Sequence, residues 1–395
     1  MPLLKTDNGT KPVLLNFIGS LGQGGAERQL LDLMTALENL EYHPIILTTS
    51  SENFFDSSIP SPKPLIFAVN LKQPLSIIRV IKKIFSLFRD NREIYLIGWM
   101  YYGSMAAFFF HCLMCWRKTN LIFMIRHSLD GVHEERLRVR LSLFLVRLVV
   151  FAPSKIFFNS KISLKQHINF GFAKRKCFYL PNGIRDSFFA NSCKASANKK
   201  IECQRKFRSG TKNIIKIVHV ARFHPMKNHK NLFAAFSIVR KKFVDVELYC
   251  VGRGIDPNNG ELVGFIDSSI KSSVKLCGSI QISSEFLMQF DIGAMCSSFG
   301  EGFPNVLLEY RASGLLCVAT PTGDSSMVVG SGDIMANSGN IEDLVEALEL
   351  SLERTREIKS LDPESVRLIY ERRIKSVEQY RYSLLSHQYA YAFDS

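Results

Sequence analysis

Along most of the chain, short apolar runs alternate with stretches in which apolar residues recur at helical spacing. Val13 to Ile18 is such a run, short enough for a strand covered on both faces. A glycine-rich turn from Gly19 to Gly25 follows, and Leu30, Leu31, Leu33, Met34 and Leu37 then mark one face of a helix. Further strands are predicted at Pro44–Thr48, Leu65–Val69, Ile94–Gly98, Leu121–Ile125 and Lys155–Asn159. Pro181-Asn182-Gly183 punctuates the chain, and the polar, Lys-rich stretch from Ala190 to Lys212 reads as a linker or surface loop. The alternation then restarts, with strands expected at Ile214–Val220, Val246–Val251, Val274–Leu276, Ile292–Cys296 and Leu316–Thr320 and helices at Asn231–Lys241 and Asn305–Ser313. Such alternation predicts an α/β protein with parallel sheets and helices on both faces. Two Rossmann-like domains are expected, residues 1–185 and 186–370, with a C-terminal helix over 371–395 packing back on the first. Ligands of such sheets bind beyond the carboxyl ends of the strands, so the site is expected in a cleft between the domains.

A length of 395 residues fits two or three domains, and 46% hydrophobic with 22% charged residues is ordinary globular composition. The nine cysteines are scattered and read as reduced thiols. Cys112 and Cys115, beside His111, lack the second pair that a zinc site would need. No basic-then-apolar leader opens the sequence, which leads to the expectation of a cytoplasmic protein. The segment Ile94–Trp116 contains no Asp, Glu, Lys or Arg. A membrane span needs about 20 apolar residues; here Gly98, Tyr101, Tyr102, Gly103, Ser104 and His111 interrupt the run, so a strand followed by a buried helix from Ser104 to Cys115 is expected.

Charge changes the picture further. The net charge is +14, and residues 1–185 hold 24 Lys/Arg against 12 Asp/Glu, while residues 186–395 hold 26 against 24. Two segments of the basic half are amphipathic. In one, Ile77, Ile78, Ile81, Ile84, Phe85 and Phe88 alternate with Arg79, Lys82, Lys83 and Arg89. In the other, Leu137, Leu141, Phe144 and Leu148 stand against Arg136, Arg138, Arg140 and Arg147. Each helix either lies on an anionic membrane surface or packs its apolar face on the sheet and solvates the basic one. An anionic membrane is the expected partner, and no nucleic acid is.

The first glycine turn resembles a dinucleotide site only in part. An NAD site wants an acid at the end of the second strand, which here reads Ile46-Leu47-Thr48-Thr49-Ser50. What remains is a backbone that lets a phosphate or sugar approach at Gly24 and Gly25. In the second half, Arg222 and Lys227 follow a strand directly and form a pair of loop cations suited to a diphosphate. Gly252 opens a second strand-to-loop turn. Ser297 to Glu309 carries a loop acid, Glu301, then Phe303, Pro304, Asn305 as candidate helix cap, Val306, and a helix acid, Glu309. Two acids so placed suit the recognition of sugar hydroxyls.

With these pieces in order, the sequence resembles glycosyltransferase family 4, of the GT-B fold. The matching elements are Gly24-Gly25-Ala26-Glu27-Arg28, Arg126-His127, Asn159-Ser160, Pro181-Asn182-Gly183, Arg222 with Lys227-Asn228, Gly252-Arg253-Gly254, and the pair Glu301 and Glu309. The resemblance implies that Arg222 and Lys227 clasp the donor diphosphate, that Glu301 faces the transferred sugar and that Glu309 holds the nucleotide ribose. It further implies that the backbone around Phe303, Pro304, Asn305 and Val306 approaches the donor, that Gly24, Gly25 and Glu27 lie across the cleft, and that His127 sits near the reacting carbon. One departure is that the family's Gly-Gly-x-x-Glu reads Gly323-Asp324-Ser325-Ser326-Met327, without the Glu.

The expected function is retaining transfer from a nucleotide-sugar donor to a glycan or lipid-linked acceptor in surface-polysaccharide assembly, peripheral on the inner face of the cell membrane. Retention follows from the resemblance alone. No Asp-x-Asp motif is evident, and two cations serve the leaving group, so no metal or other cofactor is expected. The alternatives are a nucleotide-sugar 2-epimerase of the same fold and a non-catalytic membrane-surface binding protein.

Overall fold

β1 (Val13–Ile18) is buried along its whole length, as a strand must be when helices cover both faces of its sheet. Its one polar residue, Asn16, is satisfied in place: it donates to the Leu14 carbonyl at 3.0 Å and accepts from the Trp99 indole at 2.9 Å. The computed structural model describes residues 12–22, 24–38, 40, 42–49, 64–69, 73–87, 93–134, 137–189, 192–208 and 214–394.

They fall into two units. Unit 1 comprises residues up to Pro181 together with Tyr382–Ser395, and unit 2 comprises Asn182–Arg381. In unit 1, β1 leads to α1 (Gly25–Glu38), β2 (His43–Thr48), β3 (Leu65–Ala68), α2 (Pro74–Leu87), β4 (Ile94–Trp99), α3 (Met100–Leu113), β5 (Thr119–Ile125), α4 (Leu137–Leu148), β6 (Lys155–Phe158), α5 (Lys161–Asn169) and β7 (Cys177–Tyr179). Its parallel sheet runs β3-β2-β1-β4-β5-β6-β7, so strand order reverses between β1 and β4.

Unit 2 begins with α6 (Cys193–Arg208) and continues through β8 (Ile215–Val220), α7 (His229–Lys242), β9 (Val246–Val251), α8 (Gly260–Gly264), β10 (Val274–Leu276), α9 (Ser284–Leu287), β11 (Ile292–Met295), α10 (Asn305–Ala312), β12 (Leu316–Ala319), α11 (Ser325–Val328), β13 (Ile334–Met335), α12 (Ile341–Ser360) and α13 (Pro363–Lys375). Its sheet runs β10-β9-β8-β11-β12-β13, reversing between β8 and β11. Each sheet buries apolar side chains, with a core cluster built around Leu15, Leu96 and Phe123 in the first unit and one around Ile217, Leu248 and Val318 in the second.

Several sequence expectations change. The stretch read as a linker from Ala190 is largely α6, whose buried positions Cys193, Ser196, Ala197, Lys200 and Gln204 sit at helical spacing. Lys200 is fully buried, with its ammonium 2.8 Å from the Phe290 carbonyl and over the Tyr370 ring. A buried stripe made of Cys, Ser, Ala, Lys and Gln leaves no hydrophobic period to read. Residues 371–395 are not one helix: α13 ends at Lys375 in unit 2, a short turn follows, and α14 (Tyr382–Asp394) packs in unit 1.

α3 starts at Met100, not Ser104, with Met100 in the left-handed region at φ 59°. It is buried on one side only, leaving Phe109 and Trp116 beyond its end exposed. Among the described residues no helix is long and apolar enough to cross a membrane. Cys112 and Cys115 are exposed, and His111 Nδ1 bonds the Thr119 hydroxyl at 2.6 Å. Ser50, Phe88, Arg89 and Arg136 lie outside the described residues.

Candidate active site

The residues singled out in unit 2 converge at the carboxyl ends of β8, β9 and β11, where the strand order reverses. β8 ends at Val220, whose amide donates to the buried Tyr310 hydroxyl at 2.8 Å. Arg222 and Lys227 follow on the next loop. That loop closes through Asn228, which takes φ 57° and donates to the Gly339 carbonyl at 2.7 Å. Asparagine tolerates this left-handed conformation better than other side-chain-bearing residues. The neighbouring loop after β11 is tied to it by Ser298, whose amide donates to the Met226 carbonyl at 2.9 Å.

Glu301 lies in that second loop. Its carboxylate pairs with the Lys227 ammonium and accepts from the Ser297 hydroxyl at 2.6 Å. Burial alone would raise its pKa, but the Lys227 charge and hydrogen bond, the Ser297 hydroxyl and the Arg222 charge together hold it below the usual carboxylate value. Glu301 is therefore anionic, beside two cations. Behind the cluster stand His219 on β8 and His229 at the start of α7, ring centroids 4.8 Å apart and both buried. Burial pushes His219 down to about 4 and His229 to about 2, and the Lys227 charge adds to both shifts. Both rings are neutral at pH 7 and add no further charge.

Gly252 sits at the end of β9 with φ 149°, and a Cβ there would lie 2.2 Å from the Ala221 carbonyl oxygen. Only glycine lets the β8 and β9 loops approach so closely. Phe303, Pro304, Asn305 and Val306 lead into α10, and Glu309 lies buried one turn inside it. Asn305 is not the helix cap. Pro304 takes that position, and the Asn305 side chain accepts from Asn182 at 2.5 Å. Asn182 also donates to the Phe303 carbonyl at 3.3 Å, so Asn182 braces this segment. That role went unread in the sequence, as did those of Ser297 and Tyr310. Gly323, at φ 53°, packs against the carbonyls of Glu301 and Gly302, so the segment without the family's Glu still buttresses the Glu301 loop.

In unit 1, Gly24 and Gly25 open α1 beyond β1, and Glu27 folds back over Gly24, where a Cβ would collide with its carboxylate. His127 follows β5. Its carbonyl accepts from the Ser163 hydroxyl at 2.5 Å, and its ring stands edge-on to Tyr101, 6.2 Å between centroids. Tyr101 in turn is hydrogen-bonded to His167 Nε2 at 2.8 Å, and burial lowers His167 to about 4. Neither Tyr101 nor His167 was legible as a support for His127. Arg126 is buried and structural: it donates to the Leu180 carbonyl and the Tyr389 hydroxyl, and lies over the Trp99 ring.

Two Rossmann-like units, the second carrying an Arg-Lys-Glu cluster at its switch point, define a glycosyltransferase of the GT-B class. Family models agree with this in both units: "Glycosyltransferase Family 4" matches residues 23–188, and "Glycosyl transferases group 1" matches residues 215–354. The chain belongs to glycosyltransferase family 4. It is 27% identical over 316 residues, 77% of this chain and 79% of the other, to the N-acetylgalactosamine-N,N'-diacetylbacillosaminyl-diphospho-undecaprenol 4-alpha-N-acetylgalactosaminyltransferase of Campylobacter jejuni. Among solved structures it resembles Anabaena Alr3699/HepE in complex with UDP-glucose, with TM-score 0.74 and 18% identity, covering 97% of this chain and 99% of that one. A glycosyltransferase from Rickettsia africae matches with TM-score 0.70 and 17% identity over 97% and 98%.

Proposed function

We propose that the enzyme transfers a sugar, with retention of configuration, from a nucleoside-diphosphate sugar to a lipid-linked glycan acceptor in cell-surface polysaccharide synthesis, at the inner face of the membrane. The observation that carries this reading is the cluster of Lys227, Glu301 and Ser297 with Arg222 close by, at the switch point of unit 2. Breaking the bond between sugar and diphosphate leaves negative charge on the departing phosphate and positive charge on the sugar. Arg222 and Lys227 are suited to the first and the anionic Glu301 to the second. Glu309 is assigned to the ribose, and the Phe303–Val306 backbone, Gly24, Gly25 and Glu27 to donor binding, with His127 near the reacting carbon. The lipid-linked acceptor is supported by the Campylobacter relative, whose name specifies a diphospho-undecaprenol substrate. Two fixed cations at the leaving group do the work that a divalent ion does elsewhere, so catalysis is expected to be metal-independent.

The test is to incubate the purified enzyme with a panel of nucleotide sugars and a diphospho-undecaprenol glycan, with and without excess chelator, and to read product anomeric configuration by NMR. Transfer with retention that survives chelation is expected. Inversion, or complete loss restored by magnesium or manganese, overturns the corresponding part of the proposal. Conversion of donor without acceptor would identify a 2-epimerase instead.

A further inference from the structure

The two basic amphipathic segments differ in how far their apolar residues are covered. In α2 Ile84 is fully buried and Ile81 and Phe85 lie against the core, while Ile78 is half exposed and Lys82 and Lys83 are in solvent. In α4 the buried positions are Ser142, Leu143 and Val146, and the apolar row is outside. Leu137 is 77% exposed, Leu141 56%, Phe144 48%, Leu148 55% and Phe151, just beyond the helix, 69%. These positions recur at intervals of four and three, so they form one stripe. Its neighbour α3 carries a second stripe with the same spacing: Tyr102, Ala106, Phe109, Leu113 and Trp116 are all exposed.

Two adjacent stripes of large exposed apolar side chains are far more than scattered surface residues, and such patches mark interaction sites. What covers them is indicated by charge. Arg138, Arg140 and Arg147 are exposed on α4, and Lys118 follows α3. No acid occurs from Ile94 to Leu129 or from Leu137 to Arg185, while Glu134 and Glu135 stand just before α4. A surface apolar at its centre, flanked by arginines and bare of acids on its helices, is complementary to an anionic lipid bilayer. Tyr102 and Trp116 are the aromatic types that settle at headgroup depth. Neither helix spans: at about 1.5 Å per residue both fall well short of a hydrocarbon core of about 30 Å.

We propose that the outer faces of α3 and α4 dock the enzyme onto an anionic membrane, with the two stripes entering the interface and the arginines meeting lipid phosphates. The proposal deepens the reading of a lipid-linked acceptor and rests on it for its purpose, but its test does not depend on catalysis. Trp116 supplies a direct probe, because the other of the two tryptophans, Trp99, is fully buried. Vesicles of phosphatidylcholine alone, or mixed with phosphatidylglycerol, are titrated into the purified protein, reading Trp fluorescence, acrylamide quenching and co-sedimentation. Expected are binding to the mixed vesicles, weakening with salt, a blue shift and protection of Trp116 from quencher. The double change Leu141→Glu with Phe144→Glu should weaken binding at least tenfold, as should Arg138→Glu with Arg140→Glu. Lys82→Glu with Lys83→Glu, on α2, should change it less than threefold. All three variants replace exposed side chains, so melting temperature and stabilisation by a nucleotide panel should match wild type. Failure of the wild type to bind mixed vesicles, or undiminished binding by both α4 variants, overturns the surface. Self-association abolished by Leu141→Glu with Phe144→Glu, without vesicle binding, would make the occupant a second copy and also overturn it. Vesicle binding lost in the α4 variants of an enzyme that never uses a lipid-linked acceptor would sustain the surface and refute the acceptor.

Discussion

Lys227 stands at the centre of the site because it serves two partners. It is ion-paired with Glu301 in the free enzyme, and on the proposed reading it neutralises the departing diphosphate during reaction. Interactions gained only in the transition state raise the rate constant, whereas uniform binding alters apparent affinity. Arg222→Ala and Lys227→Ala should each lower kcat by roughly 10²–10³, the scale for losing one preorganised stabilising donor. Glu309→Gln should chiefly raise the donor KM, since the ribose changes little. The ion pair separates the two cation variants. Without Lys227 a buried Glu301 loses the cation that contributes most to lowering its pKa, so the acid limb of the pH–rate profile should move to higher pH, and move less in Arg222→Ala. Near-normal kcat in both variants at saturating donor would place the leaving group elsewhere. The histidines behind the pair give a stability test. The unfolded chain protonates its histidines near 6.5, whereas folded His219 holds off until about 4 and His229 until about 2. Their contribution is therefore complete above pH 6.5 and is lost as pH falls from there towards 4, at about 1.4 kcal/mol per pH unit for each histidine. Urea unfolding across that range should show a shallower slope for His219→Gln; an unchanged slope would mean that His219 is protonated in the folded protein.

At the scale of elements, what could be read in advance was what hydrophobic period reports. The buried strands announce themselves as apolar runs, and β9 and β10 have the expected ends. The glycine turns and the Glu301–Glu309 segment were visible because loop chemistry at strand ends has a recognisable residue type. Period says nothing where the buried stripe is polar, as in α6, or where the apolar row faces outward, as in α4. The bracing by Asn182 and the support of His127 by Tyr101 and His167 were illegible because they join residues distant in sequence. Two glycines that look alike in sequence should respond differently to alanine. At Gly252 the new Cβ meets the Ala221 carbonyl oxygen at 2.2 Å and φ is 149°, so backbone must move. Residues in such conformations cost about 1–3 kcal/mol, and Gly252→Ala should lose at least that in urea unfolding while weakening donor binding. At Gly24 the nearest atoms to the Cβ belong to the Glu27 carboxylate, the far end of a flexible side chain and not backbone. Gly24→Ala should stay within about 1 kcal/mol of wild type and displace Glu27. Equal losses at both sites would show that the Gly252 backbone relaxes freely.

For the whole molecule, chain order and physical units part company at the C-terminal end. After unit 2 is complete the chain re-enters unit 1 as α14, and its contacts there are specific. Tyr382 donates to the Gln29 side chain at 2.5 Å, the Tyr389 hydroxyl donates to the Pro181 carbonyl at 2.8 Å, and Lys155 donates to the Ala392 carbonyl at 2.7 Å. Asp394 accepts from Tyr42 and Tyr95, each at 2.8 Å, and Tyr95 is buried. The helix also covers ring faces, with Phe393 against Tyr95 and Phe157. α14 is thus a structural part of unit 1, and Arg126, next to His127, depends on Tyr389 for one of its bonds. Asp394→Ala removes the acceptor of two tyrosine hydroxyls, but Asp394 is exposed and water can take its place, so the cost should be about 1 kcal/mol, the net worth of an ordinary hydrogen bond. Truncation after Arg381 removes the apolar cover as well, and should cost more than Asp394→Ala. Hydrogen exchange read by mass spectrometry locates the damage. In both variants amides of β1, β4, β5 and β6 should exchange faster, most in the truncation, while those of β8, β9, β11 and β12 keep their protection. Tyr389→Phe, which keeps the ring and removes the hydroxyl, should loosen the Arg126–His127 segment alone and lower kcat more than stability if His127 acts near the reacting carbon. If truncation leaves exchange in the unit 1 sheet unchanged, α14 contributes nothing to that unit's stability; if it speeds exchange equally in both sheets, the two units unfold together and the division at Arg381 has no energetic meaning.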